Sequence, residues 1–339
     1  MNRRDLLLGG LAAVGCSSGL RLNIFNWSDY VAPSAIPEFE AEFGLRVRYG
    51  TYESNEEMLA RVMSGNSGWD IVFPSEDMIG PMRDLGLLAE INHDWLPNLN
   101  NLEQEFQRPP WDQELRWCVP YMYGVTGIVY QKKLAQPPSA WEDLWRPDLR
   151  GRITMLDDQN EVFAACLKKV GFSVNSSNPN QLTAAQKQAI SQKPLLRAYM
   201  NADVRDQLVS GDVLVAQAWA VTAGQAIAAA PDRLAFTLPR EGFPRFADNV
   251  AILRETPRIR AAHQWIDYLL RPQVAANTVA AIHTATANGA ALKLLPLELR
   301  ANSVLYPPTS DLARGEWFTT PSVTVQRLRD RLWTEIKSA

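Results

Sequence analysis

The chain has 339 residues, of which 46% are hydrophobic and 21% are charged. That composition can bury a substantial core, and the length predicts two domains rather than one. The 34 basic and 37 acidic residues give a net charge of -3 with no block of like charge. This excludes the basic footprint of a nucleic-acid-binding protein and also an acidic tail.

The first residues differ from the rest of the chain. Arg3 and Arg4 precede an apolar run over residues 6–14, which leads to Gly15 and Cys16. Because a bilayer span needs roughly 20 apolar residues, residues 1–18 are predicted to be an export signal, with the paired arginines typical of twin-arginine export. Small residues before Cys16 resemble a bacterial lipoprotein cleavage site. We therefore expect a periplasmic or extracytoplasmic protein lipid-anchored at Cys16, with soluble release or an uncleaved anchor as alternatives.

The segment after the signal alternates strand and helix patterns. One helix with an apolar face stops at Gly44, and a second opens with Ser54 and Glu57 in the spacing of a capping box. Strands are predicted at residues 20–26, around Val47 and at residues 71–73. This order predicts an α/β fold with a mostly parallel, doubly wound sheet.

A second series of elements predicts a second lobe of the same class. Strands are expected at residues 152–156, 213–218 and 247–253, and a polar loop at residues 173–181. A helix is expected around residues 261–270 and is ended by Pro272.

The remaining cysteines and the histidines do not indicate a cofactor or a metal. Cys118 and Cys166 each lie in an apolar run and are expected to be buried free thiols. The three histidines are scattered and lack metal-ligand spacing. The sequence also has no glycine-rich phosphate loop, so we expect no cofactor.

Aromatic and acidic residues follow most of the predicted strands. In open α/β sheets, ligands bind beyond the carboxyl ends of the strands. Carboxylates bind ammonium groups, and aromatic faces attract cations and cover methylene groups, so the pattern favours a flexible organic cation. The residues are Trp27, Ser28, Asp29 and Tyr30 after the first strand, Ser75, Glu76 and Asp77 after the third, and Asp157, Asp158, Glu161, Trp219, Phe246 and Asp248 in the second series.

Most of these residues also have a purely structural explanation. Trp27 can be a core aromatic, Ser75 a helix cap, and Asp158 with Glu161 a capping box. Asp248 is harder to explain in this way, because an unpaired carboxylate buried at a strand edge costs several kcal/mol.

Several segments, taken in order, resemble the spermidine/putrescine-binding periplasmic proteins of bacterial ABC importers. The resemblance extends over almost the whole chain after the signal, which is more specific than any single motif. The segments are FNWSDYVAP, TYESNEEM, DIVFPS, VPYMYGVTGI, SAWEDLWRPDLRGRITMLDDQNEVF, YLLRPQVA and LYPP.

The resemblance implies a periplasmic-binding-protein fold, in which two doubly wound lobes are joined by crossing strands and close on a ligand cleft. Lobe 1 is expected at residues 19–127 and 249–293, and lobe 2 at residues 128–248 and 294–339. It also implies a monomer without enzymatic activity, whose partners are a small polyamine and an inner-membrane ABC permease with its ATPase.

The resemblance further implies roles for single residues. Trp27, Ser28, Tyr30 and Ser75 match first-lobe ligand residues, and Asp158 with Glu161 matches the carboxylates that meet an inner or distal amine. Trp219 matches a stacking tryptophan, and Asp248 matches the aspartate that receives a terminal ammonium.

Four positions depart from the spermidine-type pattern. Asp77 stands where an aromatic residue is common, Phe246 where tryptophan can occur, Thr284 where tyrosine can occur, and Phe318 near a glutamine that can touch ligand. The preferred chain length stays open, because Asp158 favours spermidine whereas Phe246 and FNWSDY look more like the putrescine branch.

Three other functions are weighed against polyamine capture. A ferric or amino-acid binding protein of the same fold would favour clustered Tyr and His ligands or an Arg for a carboxylate, and the strand ends carry neither. An enzyme using Asp158 and Glu161 as acid and base would need a nucleophile, cofactor loop or metal set. A sensor that docks on a receptor is the third alternative.

Overall fold

The computed structural model describes residues 21–339, so the predicted signal and Cys16 lie outside the described part of the chain. The strands in that part are β1 (Arg21–Trp27), β2 (Arg46–Tyr52), β3 (Ile71–Val72), β4 (Val119–Gln131), β5 (Ile153–Met155), β6 (Leu196–Tyr199), β7 (Val215–Trp219), β8 (Leu234–Thr237), β9 (Phe243–Ile252), β10 (Ala285–Thr286) and β11 (Gly315–Trp317).

The helices alternate with these strands. They are α1 (Ala35–Phe43), α2 (Asn55–Met63), α3 (Glu76–Asp84), α4 (Gln159–Lys169), α5 (Pro179–Gln192), α6 (Val204–Ser210), α7 (Ala220–Ala229), α8 (Ile259–Leu269), α9 (Pro272–Ile282), α10 (Gly289–Leu292), α11 (Leu297–Arg300), α12 (Thr309–Leu312) and α13 (Val323–Ser338). Short 3₁₀ helices lie at His93–Trp95, Pro97–Asn101, Gln104–Phe106, Trp141–Trp145, Pro147–Leu149 and Lys193–Leu195.

Two parallel groups of strands are joined by two long antiparallel strands. The sheet order is β2-β1-β3-β9-β4-β7-β5-β6, with β8 and β10 paired to β4 and β11 paired to β9. In the first group β1 is parallel to β2 and β3, and in the second β5 is parallel to β6 and β7. β4 and β9 run antiparallel to each other, and β3 and β7 flank them. These are the expected crossing strands.

Each parallel group packs apolar side chains on both faces. Ile24 and Phe25 are neighbours on β1 but belong to different cores, and Val215 and Ala216 on β7 do the same. Because successive side chains of a strand point to opposite faces, both groups are covered on two sides. The α/β class and the doubly wound architecture are therefore confirmed.

The cores follow the two expected lobes. One pair of cores uses buried residues within 22–123 and 247–287, and the other uses residues within 125–243 together with Leu332 and Ile336 of α13. Two predicted lobe boundaries, at residues 127/128 and 248/249, fall inside β4 and β9, which pass from one lobe to the other, and the boundary at residues 293/294 follows α10. All of them stay a prediction.

Most predicted elements are present with shifted ends. The strand expected at residues 20–26 is β1, and Gly44 ends α1 in the left-handed region at φ 64°. Two expectations need correction. Pro272 was expected to end a helix, but it is also the first residue of the next helix, α9. The polar loop was expected to reach residue 181, but it ends at Asn178 because Pro179 opens α5. Proline suits this first position, where no intrahelical hydrogen bond is needed.

The length of β4 was not predicted. Twelve of its 13 residues are buried, so the strand has no polar alternation to mark it.

Cys118 and Cys166 are buried free thiols, as expected. Within residues 21–339, no helix combines the length and the apolar character needed to cross a bilayer.

Candidate ligand-binding site

A cavity opens between the two lobes, where β1, β3 and β7 end and α3 and α4 begin. Together with the open space at its mouth it measures about 960 Å³. Within residues 21–339, no Lys or Arg side chain lines it. Its carboxylates belong to Asp29, Glu53, Glu76, Asp77, Asp158, Glu161 and Asp248, and its aromatic rings to Trp27, Tyr30, Trp219, Phe246 and Phe318.

Asp248 lies on β9 at one end of this acidic set and is only 5% exposed. Tyr30 Oη donates a hydrogen bond to its Oδ2 (2.6 Å), and Ser75 Oγ donates to its Oδ1 (2.8 Å). Burial raises the pKa of Asp248 to about 6, although the hydrogen bonds from Tyr30 and Ser75 lower it. Both donors are neutral, so they orient the carboxylate without balancing its charge. A cation from outside the protein can supply that balance.

Ser75 occupies the N-cap position of α3, yet its side chain makes no capping hydrogen bond. Its hydroxyl instead donates to Asp248, and it accepts a hydrogen bond from Asn55 Nδ2 (3.1 Å). Ser75 and Asp248 also form an antiparallel bridge. The backbone after β3 therefore holds Ser75 against the buried carboxylate, which favours the ligand-site interpretation over that of a simple cap.

Trp27 ends β1 and serves both the core and the cavity. Its Nε1 donates to the carbonyl of Phe73 (2.8 Å), and its ring packs against Tyr52 with the centroids 4.7 Å apart. The side chain is only partly buried and lines the cavity. Ser28 follows at the mouth, where its hydroxyl donates to Glu53. The core and ligand interpretations of Trp27 are thus compatible.

Asp158 and Glu161 form half of the expected capping box. Asp158 Oδ1 accepts from the backbone N–H of Glu161 (3.0 Å) and caps α4. The Glu161 carboxylate does not return this bond, because its Oε1 accepts from Thr126 Oγ1 (2.8 Å) and Trp219 Nε1 (2.9 Å). The Glu161 side chain is therefore directed toward the cavity by β4 and β7.

Burial, together with repulsion within this acidic group, opposes ionisation of its carboxyl groups. Burial, followed by repulsion from Asp158, raises the pKa of Glu161 to about 8, and burial raises that of Asp158 to about 6. Burial and then repulsion from Asp158 raise the pKa of Asp77 to about 7. Glu161 Oε2 is buried and has no hydrogen-bond partner among residues 21–339. The group is therefore suited to receive a hydrogen-bond donor that carries positive charge.

Two departures from the family pattern have different locations. Phe318 lines the cavity, and its backbone N–H donates to Glu76 (3.2 Å). Thr284 does not line the cavity. It is 2% exposed and lies near Tyr30, whose raised pKa it partly opposes. The contact of Thr284 with ligand therefore stays a prediction.

Several cavity residues were not among the predicted site residues, and they include Glu53, Asn55, Glu76 and Asn160, whose acidic or amide side chains make contacts there. Glu53 and Asn55 follow β2 and line the cavity. The end of β2 was not predicted, because this edge strand is partly exposed and the predicted strand was only centred on Val47. With the correct end of β2, the rule that ligands bind beyond the carboxyl ends of strands would have selected Glu53 and Asn55. Glu76 was noted at a strand end but given no role, and Asn160 had no distinguishing signal. Glu76 bridges β9 and the C-terminal segment, since its Oε2 accepts from the Ala247 N–H (2.9 Å).

The protein has the features of a two-lobed solute-binding protein: two parallel strand groups covered on both faces, crossing strands between them and a cavity at the strand ends. The model of the bacterial extracellular solute-binding protein family matches residues 34–296, and the chain belongs to this family. The spermidine/putrescine-binding periplasmic protein of Salmonella typhimurium is 33% identical over 322 residues, which cover 93% of this chain and 92% of that protein.

Solved structures agree with this assignment. The spermidine/putrescine ABC transporter substrate-binding protein PotD of Streptococcus pneumoniae superposes with a TM-score of 0.82 at 26% identity, covering 94% of this chain and 99% of that one. The Tp0655 (TpPotD) lipoprotein of Treponema pallidum gives a TM-score of 0.83 at 27% identity, covering 93% and 99%. The family resemblance found in the sequence is thus confirmed.

Proposed function

We propose that this protein captures linear polyamines outside the cytoplasm and delivers them to an ABC permease. The observation that carries the proposal is the cavity itself, which combines seven carboxylates with five aromatic rings and, within residues 21–339, no basic side chain. The names of the Salmonella and Streptococcus relatives support the same ligand class.

The geometry supports a mechanism of capture by lobe closure. Asp248, held by Tyr30 and Ser75, would receive one ammonium group through charge-assisted hydrogen bonds. Trp27 and Trp219 approach from opposite lobes and would cover the methylene chain. Each charged hydrogen bond contributes about 1.5 to 3 kcal/mol, so two or three of them with ring contacts can reach micromolar affinity, about -8 kcal/mol.

We also propose that the protein works as a monomer with a permease and its ATPase and is anchored through Cys16. The sequence around Cys16 and the lipoprotein description of the Treponema relative support the anchor. Catalysis by Asp158 and Glu161 is the weaker alternative, because the sequence offers no nucleophile or cofactor loop to accompany them.

Asp248→Asn tests the proposed function. The variant keeps the size of the side chain but leaves a buried ammonium without its charge partner, so spermidine and putrescine binding should weaken by about 2 to 5 kcal/mol. Titration calorimetry with these ligands, cadaverine, spermine, basic amino acids and ferric salts measures the effect. The control is Asp232→Asn, at an exposed site in the second lobe. Unchanged polyamine affinity in Asp248→Asn would exclude Asp248 as the anchor. If the wild-type protein bound ferric ion or an amino acid more tightly than any polyamine, the proposed ligand class would be wrong.

A further inference from the structure

A further link between the lobes follows β11, in addition to the crossing strands β4 and β9. Residues 318–322, which we call the connector, lead from β11, a strand paired in parallel to β9, to α13. Trp317, the last residue of β11, packs against a core of the first lobe, whereas Leu332 and Ile336 of α13 belong to a core of the second lobe. The connector therefore begins at one lobe and ends in the other.

Asn175 holds the start of the connector to the second lobe. Its Oδ1 accepts a hydrogen bond from the backbone N–H of Thr319 (2.9 Å), and its Nδ2 donates to the carbonyl of Trp317 (2.8 Å). Asn175 lies in the loop between α4 and α5, two helices that pack in the same core as α13. These two hydrogen bonds fix the position of the connector relative to that lobe.

Glu76 and Thr320 hold the connector to the first lobe. Glu76 is the first residue of α3 and is only 1% exposed, and its Oε1 accepts a hydrogen bond from the backbone N–H of Phe318 (3.2 Å). Thr320 Oγ1 donates to the backbone carbonyl of Asp77 (2.7 Å). A Cβ at Gly80 would lie only 3.2 Å from Thr320 Oγ1. The absence of a side chain at this helical position therefore lets the connector approach α3.

Glu76 also joins the connector to the ligand cavity. Its Oε2 accepts a hydrogen bond from the N–H of Ala247 (2.9 Å), which precedes Asp248 on the crossing strand β9. Glu76 and Phe318 both line the cavity, whereas Thr320 lies outside the lining formed by residues 21–339. A ligand in the cavity is therefore next to both partners of one docking hydrogen bond, while the other docking hydrogen bond lies away from the ligand.

We infer that Glu76 and Thr320 are positioning residues that slow the release of a bound cation by holding the connector on α3. The inference rests on the proposed polyamine-binding function and deepens it. Because the connector is bonded to α3 of the first lobe and to Asn175 of the second, both sets of hydrogen bonds can persist only while those parts of the lobes stay close. Release requires the lobes to separate, which breaks one of the two sets. The docked connector therefore favours the arrangement that retains the ligand.

Thr320→Val tests this inference without changing the charge of the cavity. Valine is similar in size but lacks the hydroxyl group, so the hydrogen bond to the carbonyl of Asp77 is lost. The dissociation rate of spermidine should rise about two- to tenfold, as the loss of one hydrogen bond implies, while the association rate stays unchanged because the ligand enters before the lobes close. Stopped-flow tryptophan fluorescence measures both rates, since Trp27 and Trp219 line the cavity.

Thr334→Val is the matched control. Thr334 is an exposed residue of α13, and its Oγ1 donates to the carbonyl of Asp330 (2.9 Å) within the same helix. The substitution removes the same kind of hydrogen bond from the same lobe without touching the connector. This control should keep both wild-type rates.

A double-mutant cycle tests whether Glu76 acts through the connector. Glu76→Gln replaces one carboxylate oxygen by an amino group, so the N–H of Phe318 or of Ala247 loses its acceptor. The variant also removes a charge from the cavity, but this effect cancels in the cycle. If Glu76 and Thr320 hold the same segment, Glu76→Gln combined with Thr320→Val should raise the dissociation rate by less than the product of the two single increases.

The outcomes separate this inference from the proposed function. If Thr320→Val keeps the wild-type dissociation rate, or if Thr334→Val raises that rate equally, the positioning role is excluded while polyamine capture stands. An increase in the double variant equal to the product of the single increases would exclude Glu76 from this role. If the wild-type protein binds no polyamine, the proposed function fails and this inference with it. Should Thr320→Val not fold, Asn175→Ala, which frees the other side of the connector and should raise the dissociation rate in the same way, decides in its place.

Discussion

The carboxylate of Glu161 serves the cavity rather than the start of its own helix. The spacing from Asp158 satisfies the capping-box pattern, and Asp158 does cap α4. Glu161 instead accepts hydrogen bonds from Thr126 on β4 and Trp219 on β7. A local pattern cannot reveal this choice, because both donors come from strands distant in sequence.

Trp219→Phe tests the role of the indole at this position. The substitution keeps an aromatic ring but removes the Nε1–H that donates to Glu161 (2.9 Å). Spermidine binding should weaken by about 1.5 to 3 kcal/mol, because Glu161 loses a donor that favours its charged form. Calorimetry measures the loss. Trp145→Phe is the control, since it removes an indole hydrogen bond to the carbonyl of Gln188 in the same lobe and should leave affinity unchanged. An equal loss in both variants would contradict a specific role for Trp219.

At the scale of elements, β9 carries two cavity residues on one face. Phe246 and Asp248 are two positions apart, so both side chains point to the same side of the strand. Phe246 lies opposite Gly124 on β4. A Cβ at position 124 would come within 2.6 Å of Phe246 Cζ. The absence of a side chain on β4 therefore makes room for the ring that borders the cavity.

Gly124→Ala should displace the Phe246 ring. We expect unfolding to become easier by about 1 to 3 kcal/mol, as overpacking of a buried site implies, and polyamine affinity to fall as the ring moves. Chemical denaturation and calorimetry measure the two effects. The double variant Gly124→Ala with Phe246→Leu restores space and should recover most of the stability. If the single variant has wild-type stability, the close approach of Gly124 and Phe246 does not constrain the strand pair.

At the scale of the whole molecule, folding concentrates negative charge in one place. The net charge of the chain is only -3, yet seven carboxylates meet in the cavity. Burial and mutual repulsion raise the pKa of Glu161 to about 8 and that of Asp77 to about 7. The facing groups are Glu56 on α2, Asp158 at the start of α4 and Arg329 on α13. The ligand-free protein therefore retains protons that its unfolded chain would release.

This charge distribution predicts a pH dependence of stability. Between about pH 6.5 and 8.5 the folded state binds more protons than the unfolded state, so the free energy of unfolding of the ligand-free protein should fall as pH rises. Saturating spermidine should reduce this slope, because its ammonium groups favour the ionised carboxylates. Thermal unfolding at several pH values measures both trends, with Glu161→Gln expected to flatten the ligand-free curve. A rise in stability with pH over this range would contradict the raised pKa values.

Much of the protein follows from the sequence alone. The alternation of short apolar strands and amphipathic helices predicts the α/β class, because local periodicity determines which face of an element is buried. The rule that ligands bind at strand ends selects Trp27, Asp158 and Trp219, whereas Asp248 lies inside β9 and was singled out as a carboxylate that burial would leave unpaired. Collinear segments identify the family, which is confirmed.

Only the tertiary structure decides how those residues act together. It brings Tyr30 and Ser75 onto Asp248, directs Glu161 away from its capping box, and leaves Thr284 buried outside the cavity lining. These outcomes depend on contacts between strands that are distant in sequence, which no local pattern encodes. The acidic cavity has the same origin, since a nearly neutral chain becomes strongly negative at one point only when several strand ends converge there.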